Sequence, residues 1–576
     1  MAARKRARQS IHRQTKNGAI AVNGKTFLKG AAILGIAGLI VQVMGAVFRI
    51  PLANIIGDEG MGYYQTAYPI YIFLLVFSTN GAPAAISKMT SERVAIGRYT
   101  EAHRVFQLSF LLMALIGVVT SAAVFFGAKA IVDYLENPGA FYAMAAIAPA
   151  LLFVPIMSVF RGYFQGYQEM SPTASSQLVE QLIRVAAGLG LAIALVPVSI
   201  EYAAAGASAG GSIGPVFGML FLIFIYFRIR DRLIPREDEE KGYRRETAGK
   251  ILGKLASIAV PITIGVSILP VMNIVDVLMV IRRLGDIGMG SEANALYGQL
   301  SGMAGPIINI PQAMALSIAL SLVPAVASAK SAGKTDFMKQ NIRLGFRTAL
   351  IIGVPCALGL MILSKPIMTL LYPLQMESAV SASGCLFFLA TGVIFITVAQ
   401  TMAGILQGLG KPSYSLYAVI IGVMVKVIFT YLLVGIPSLN VQGAAIASTL
   451  AYAAIAFVNF RLVVRLTNTR FNYRLSIAKP LVSGLVMSAV VLLLYFLLGT
   501  VLPGSVATVL SIGAGACVYG IMLLRLRAIL PDEIRTLPKG ESIFRLLAAC
   551  RLIERTSGQP AAPEEQSLSH RKNRKD

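Results

Sequence analysis

Apolar residues fall along this chain in blocks of about twenty, divided by short polar turns. A block of that length is what an α-helix needs to cross the roughly 30 Å hydrocarbon core of a bilayer. The blocks predict about fourteen helices, near 28–50, 63–86, 105–127, 141–160, 174–195, 202–227, 255–281, 294–327, 344–364, 379–406, 413–435, 441–460, 480–500 and 505–524. Ten-residue stretches that alternate apolar and polar positions are lacking, which argues against a β-barrel. An all-α polytopic membrane protein is the expected class.

Composition agrees: the chain is 56% hydrophobic and 14% charged, with a mean hydropathy of +0.71. The net charge of +24 suggests nucleic acid until the charges are placed. Taking the N-terminus as inside, 44 of the 51 Lys and Arg lie in inner segments and 4 in outer loops. That is a strong positive-inside bias, so the basic charge reads as topology and attraction to anionic lipid, with no nucleic-acid partner expected. Both termini are expected in the cytoplasm and the protein in the plasma membrane. Residues 1–25 lack the short apolar core and small-residue cleavage site of a signal peptide, and no cleavage is expected.

The chain repeats itself. GDEGMG (57–62) and GDIGMG (285–290) agree at five of six positions, 228 residues apart. Gln165–Gly166 recurs as Gln407–Gly408 and Arg184 falls on Lys426, both at an offset of 242, while Pro83–Ala84 falls on Pro324–Ala325 at 241. Ordered matches at similar offsets indicate a duplication of about six helices. Six crossings preserve orientation, so the repeats are parallel, as in transporters built from two lobes around a central cavity. The expected organisation is a disordered basic tail (1–25), an N-lobe (26–227), a cytoplasmic linker (228–254), a C-lobe (255–464), two extra helices (465–530) and a cytoplasmic tail (531–576). Within that tail, 541–555 reads as a short amphipathic helix. The two glycine-rich repeats are expected to form matching outer gates.

Polar residues inside the spans are the candidates for chemistry, because each charge in a bilayer costs roughly 2.5–3.5 kcal/mol on insertion scales and so faces a partner or a cavity. Gln177, Glu180, Gln181 and Arg184 are spaced i, i+3, i+4, i+7 and share one helix face. A Glu180–Arg184 pair could simply lock packing; two further glutamines beside it favour a polar cavity. In the first helix Gln42 and Arg49 share a face, with snorkelling to the outer head groups as the plainer reading of Arg49. Asn273 and Asp276 lie beside Pro261 and Pro270, where bending is permitted. Asp276 could pair with Arg282 or Arg283, or serve as an ion-coupling site together with Asn273 and Glu180. Lys426 is near mid-span, too deep to snorkel. Asn309, Gln312 and Asn459 read as bonds between helices.

No phosphate-binding loop is present: the runs Gly24–Lys25–Thr26 and Gly333–Lys334–Thr335 have Ala19 and Ser328 where the motif requires glycine. His12, His103 and His570 and four scattered cysteines show no metal-ligand spacing, and no catalytic grouping of Ser, His and Asp is found. The expectation is a non-enzyme with no metal or cofactor, driven by H+, Na+ or the membrane potential.

TFLKGAAILG (26–35), GDEGMGYYQ (57–65), GAPAAISKM (81–89) and VPIMSVFRGYFQGYQEMSPTASSQLVEQLIRV (154–185) together resemble the MOP exporter superfamily. They are most similar to its branch of stage V sporulation protein B and MurJ-type lipid II flippases, and the resemblance covers about 26–530. It implies a V-shaped pair of six-helix lobes around a cationic cavity, with lipid-linked disaccharide pyrophosphates crossing by alternating access. The family's first helix often has an arginine where this chain has Gln42, leaving Arg49 as the only arginine there. The reading is then a flippase moving an undecaprenyl-pyrophosphate-linked cell-wall precursor, with lipid II foremost, from inner to outer leaflet. Arg49, Gln177, Glu180, Gln181, Arg184 and Lys426 would line its substrate site. Alternatives are a flippase for another polyprenyl-linked glycan, a cation-coupled multidrug exporter, or a membrane scaffold. The expected partners are the glycan lipid, bilayer lipids and the cell-wall synthesis machinery, with the protein itself a monomer.

Overall fold

A computed structural model of the chain describes residues 24–233 and 246–529; most of the expected basic tail, the middle of the linker and the amphipathic segment 541–555 lie outside them. The described residues are helical, without strands. In chain order the helices are α1 (Gly24–Val76), α2 (Ala82–Ala95), α3 (Tyr99–Tyr134), α4 (Phe141–Ile147), α5 (Ala150–Gly166), α6 (Ser171–Leu195), α7 (Ile200–Leu233) and α8 (Ala248–Asp286). They continue with α9 (Ala293–Tyr297), α10 (Gly305–Ser331), α11 (Thr335–Ile362), α12 (Ser364–Leu371), α13 (Met376–Gly408), α14 (Pro412–Val434), α15 (Gln442–Thr467), α16 (Lys479–Gly499) and α17 (Gly504–Arg525). Short π-helical segments at Phe77–Gly81, Gly298–Ala304 and Arg474–Ala478 lead into α2, α10 and α16.

Among the described residues, twelve helical runs are long and apolar enough to cross a membrane. Large apolar side chains such as Phe126, Leu111 and Phe496 stand in the open on the rim of the bundle. In water such a surface would aggregate; against lipid it is the satisfied one. The protein is therefore a multi-pass membrane protein. Of the fourteen expected spans, the first two meet in one 63-residue run, 33–95, and the seventh lies within α8, a 39-residue helix that contains Pro261 and Pro270. The expected outer turn falls at Gly57, whose backbone (φ 69°, ψ −175°) leaves the helical region: α1 is two helices joined there, and the second folds back along the first, bringing Tyr68 to Arg49.

The duplication is visible in backbone detail. The turn after α5 closes with Gln168 N–H donating to Gln165 O and Glu169 N–H to Phe164 O; the turn after α13 closes with Gly410 to Gln407 and Lys411 to Leu406, the same bonds 242 residues on. Gly162 and Gly166 bring α5 onto the backbone and β-carbons of α2, as Gly404 and Gly408 bring α13 onto α10. Close approach at small residues is how helices pack where both solvent and side chains are apolar. The helices α16 and α17 lie outside this pattern. They pair with each other and lean on the second half, where Tyr519 donates to Ile351 O.

The two halves are stitched together at the end of the bundle that carries Gly57. Gln299 donates to Asp58 (2.8 Å), Asn294 to Glu59 O (2.9 Å), Gln65 to Ser301 O (2.6 Å) and Asn54 to Leu371 O (2.8 Å). At the opposite, basic end, α2 packs along α8, the ion pair Lys254–Glu92 (3.0 Å) joins them, and Arg93 pairs with Glu246 (2.5 Å) just before α8 begins. The two glycine-rich repeats are not matching gates: Gly62 abuts Asn294 across the seam, whereas Gly285 to Gly290 form the open turn that ends α8, with Gly288 at φ +84°.

Candidate functional site

The candidate residues divide between two cavities. The central one, of about 370 Å³, lies between the halves and is walled by α1, α8, α10 and α14. Arg49, Asn273, Asp276 and Lys426 line it. The second, of about 280 Å³, lies within the first half and takes Gln177, Glu180, Gln181 and Arg184 from α6, together with Arg161 and Gln165 from α5. The resemblance implies one substrate site for Arg49, Gln177, Glu180, Gln181, Arg184 and Lys426; the fold divides them, because the stripe on α6 faces α5 and the basic-end half of α1.

Within the central cavity, Lys426 is almost wholly buried and its ammonium lies 2.6 Å from an Asp276 carboxylate oxygen and 3.2 Å from the Ser448 hydroxyl. The pair joins α14 to α8, with charge neutralised inside low-dielectric surroundings. Asp276 is thus not the partner of the arginines that follow it: Arg282 pairs with Glu136 and Arg283 with Asp286. The other Asp276 oxygen is buried without a hydrogen-bond partner. Arg49 is different. Its guanidinium rests 5.2 Å from the centre of the Tyr68 ring, an attraction of charge to the ring face, and no described carboxylate pairs with it. Arg49 therefore faces the cavity rather than snorkelling, and it leaves the cavity with one uncompensated positive charge.

In the second cavity one carboxylate serves two arginines. Glu180 receives Arg184 at 2.7 Å through one oxygen and Arg161 at 2.9 Å through the other. Arg161 also donates to Ser176 (3.0 Å). The cluster carries a net charge of +1, and both Arg184 Nε and Gln177 Oε1 are buried without partners.

A model of the family described as "Polysaccharide biosynthesis protein" matches residues 27–330, just over half of the chain. The chain belongs to that family. A second model, MatE, matches residues 261–432. Among relatives, stage V sporulation protein B of Bacillus subtilis (strain 168) is 27% identical over 524 residues, covering 89% of this chain and 98% of its own. The lipid II flippase MurJ of the same organism is 25% identical over 476 residues, covering 80% and 86%. A solved structure titled "Lipid II flippase MurJ, inward closed conformation" superposes with a TM-score of 0.65 at 15% identity, covering 85% of this chain and 98% of that one. A solved structure titled "Inward-facing conformation of a multidrug resistance MATE family transporter of the MOP superfamily" superposes with a TM-score of 0.64 at 14% identity, covering 75% of this chain and 99% of that one, so the chain shares that fold.

For this member of the polysaccharide biosynthesis protein family, several wall residues escape a reading by helix face. Arg161 ends an apolar run and reads as one more basic residue of an inner turn; only the α5–α6 hairpin brings it to Glu180, 19 positions on. Asn309 and Gln312, which read as helix-to-helix bonds, line the central cavity with Gln65, Tyr68 and Tyr452. Asn459 keeps its packing role, donating to Ala399 O. Gln42, expected beside Arg49, is exposed and lines neither cavity.

Proposed function

We propose that this chain is a flippase for a polyprenyl-pyrophosphate-linked cell-wall precursor, lipid II being the first substrate to try. The observation that carries the reading is Arg49, a guanidinium without a carboxylate in a cavity between the two halves. A desolvated cation of this kind binds a phosphate oxygen far more strongly than it would in water. The relatives named as a lipid II flippase and a sporulation protein lend support to the substrate class. Lys426 holds Asp276 and shapes the wall, and the free oxygen of Asp276 is where a coupling H+ or Na+ would join. A cavity near 370 Å³ sits at the small end of ligand pockets, so the glycan enters when the halves part at the basic end, which this reading places in the cytoplasm. A net positive cavity disfavours cationic drugs as cargo.

The test is transfer of fluorescent lipid II across proteoliposomes of known orientation. Arg49→Ala is expected to slow transfer more than tenfold while insertion and thermal unfolding stay as in the wild type. Wild-type protein that moves a different polyprenyl-linked glycan, and not lipid II, changes the cargo; an Arg49→Ala variant at full rate overturns the reading.

A further inference from the structure

The two cavities share walls. Arg49 on α1 lines the central cavity, and Val41 and Gly38 on the same helix line the second. Eight to eleven residues at 1.5 Å each separate them by about 12–17 Å along α1, towards the basic end. On the helical arm that returns after Gly57, Ile72 lines the central cavity and Thr79 the second, again about 10 Å apart in the same sense. Between the two, Gly45 lets the Gln181 amide lie against α1, 3.6 Å from where a β-carbon would sit. The cavities are therefore in series along the path that leads from the basic end to Arg49.

The second cavity is unlike a closed structural lock. Its three charged side chains border open space, each retaining between 13% and 18% exposure. A buried guanidinium N–H and a buried amide oxygen in its wall stand unpartnered. Buried polar groups in folded proteins are mostly satisfied, and the unpartnered Arg184 Nε–H is a donor to which a phosphate oxygen can be the acceptor. Glu180, with one oxygen on each arginine, is a resident anion in the place an incoming phosphate would take. Resting on the flippase reading, we infer that the second cavity is an entry station for the substrate's phosphates: they displace Glu180 from Arg161 and Arg184, then pass to Arg49 in the central cavity. The handover is a ligand exchange between cations and forms no covalent bond.

The experiment is displacement of fluorescent undecaprenyl pyrophosphate from the full-length protein in detergent by inorganic pyrophosphate. It is run on an Arg49→Gln background so that only the entry station reads out. Relative to that background, binding is expected to weaken tenfold or more with Arg161→Gln added and to tighten at least fivefold with Glu180→Gln added. Arg161→Lys recovers most of the loss, which separates lost charge from lost fold. Abolition of binding by Arg49→Gln alone overturns the station, as does weaker binding in Glu180→Gln. Phosphatidylglycerol competing as well as pyrophosphate also overturns it, by assigning the site to bilayer head groups. Arg161-dependent binding in a protein that flips no polyprenyl glycan keeps the site and ends the flippase reading; flipping with Arg161-independent binding does the reverse.

Discussion

The two halves of the duplication solve the same problem in opposite ways. Arg184 and Lys426 occupy equivalent positions on α6 and α14. In the second half, Asp276 reaches from α8 to Lys426 and closes the charge across helices. The position in α1 equivalent to Asp276, at the 228-residue offset of the glycine repeats, is Phe48, which packs against Gly188 of α6. Its neighbour Arg49 turns into the cavity instead. Arg184 then takes its carboxylate from its own helix, and shares it with Arg161. The Lys426–Asp276 pair is neutral and braces two helices; the Arg161–Glu180–Arg184 cluster keeps a spare positive charge. Two copies of one scaffold thus carry their charges differently: a carboxylate stands at position 276 on α8 and Phe48 at the equivalent place on α1.

The largest expected effect tests that contrast. Lys426→Ala strands Asp276 without its cation and should cost about 3–5 kcal/mol by the measure of buried pairs in soluble proteins, whereas Lys426→Met with Asp276→Leu should recover most of it. Arg184→Ala leaves Glu180 still paired with Arg161 and should cost only about 1 kcal/mol. Thermal unfolding in detergent separates the two; equal losses would mean that both pairs are braces.

How much of this is legible in the sequence depends on how many helices a statement involves. Apolar block length and the placement of lysines and arginines sufficed for a polytopic bundle, and three ordered matches sufficed for the duplication, because each is a property of one segment or one offset. The stripe Gln177–Glu180–Gln181–Arg184 was likewise legible, being one face of one helix. What faces that stripe was not. Arg161 reaches Glu180 only through the α5–α6 hairpin, Lys426 finds Asp276 only where α14 crosses α8, and Tyr68 meets Arg49 only because α1 folds back at Gly57. Pairing across helices requires rotation and depth, and neither is written in a single helix's periodicity.

The glycine repeats offer a second contrast, of intermediate size. Gly62 and Gly290 are equivalent in sequence, yet a β-carbon on Gly62 meets the Asn294 carbonyl across the seam, while one on Gly290 meets only Gly285 at 3.8 Å. Gly62→Ala should cost about 1–3 kcal/mol, as overpacking does, and loosen the halves at the Gly57 end; Gly290→Ala should stay within about 0.5 kcal/mol. A disulfide between cysteines placed at Asp58 and Gln299, now joined by a hydrogen bond, reports on the seam. Its formation should slow with Gly62→Ala and not with Gly290→Ala. Equal slowing would mean that both repeats act at the seam.

The smallest effect lies in the matched turns. Gly410 adopts φ +71° after α13, and its counterpart Gln168 adopts φ +61° after α5. A β-carbon on Gly410 meets nothing within 4 Å, so Gly410→Ala should be opposed by backbone strain alone, about 1–2 kcal/mol for a left-handed residue. Gln168 already bears that strain. Gln168→Gly relieves it but gives the unfolded chain more freedom, an opposing term of about 0.5–1 kcal/mol, so the net gain should be about 0.5–1 kcal/mol. The signs are therefore opposite at two positions with the same hydrogen bonds, and unfolding temperatures of the two variants measured side by side decide the matter. A gain at Gln168 confirms that the first half carries strain the second half shed; a loss there means the glutamine side chain holds the turn, and the two turns are alike only in their backbone.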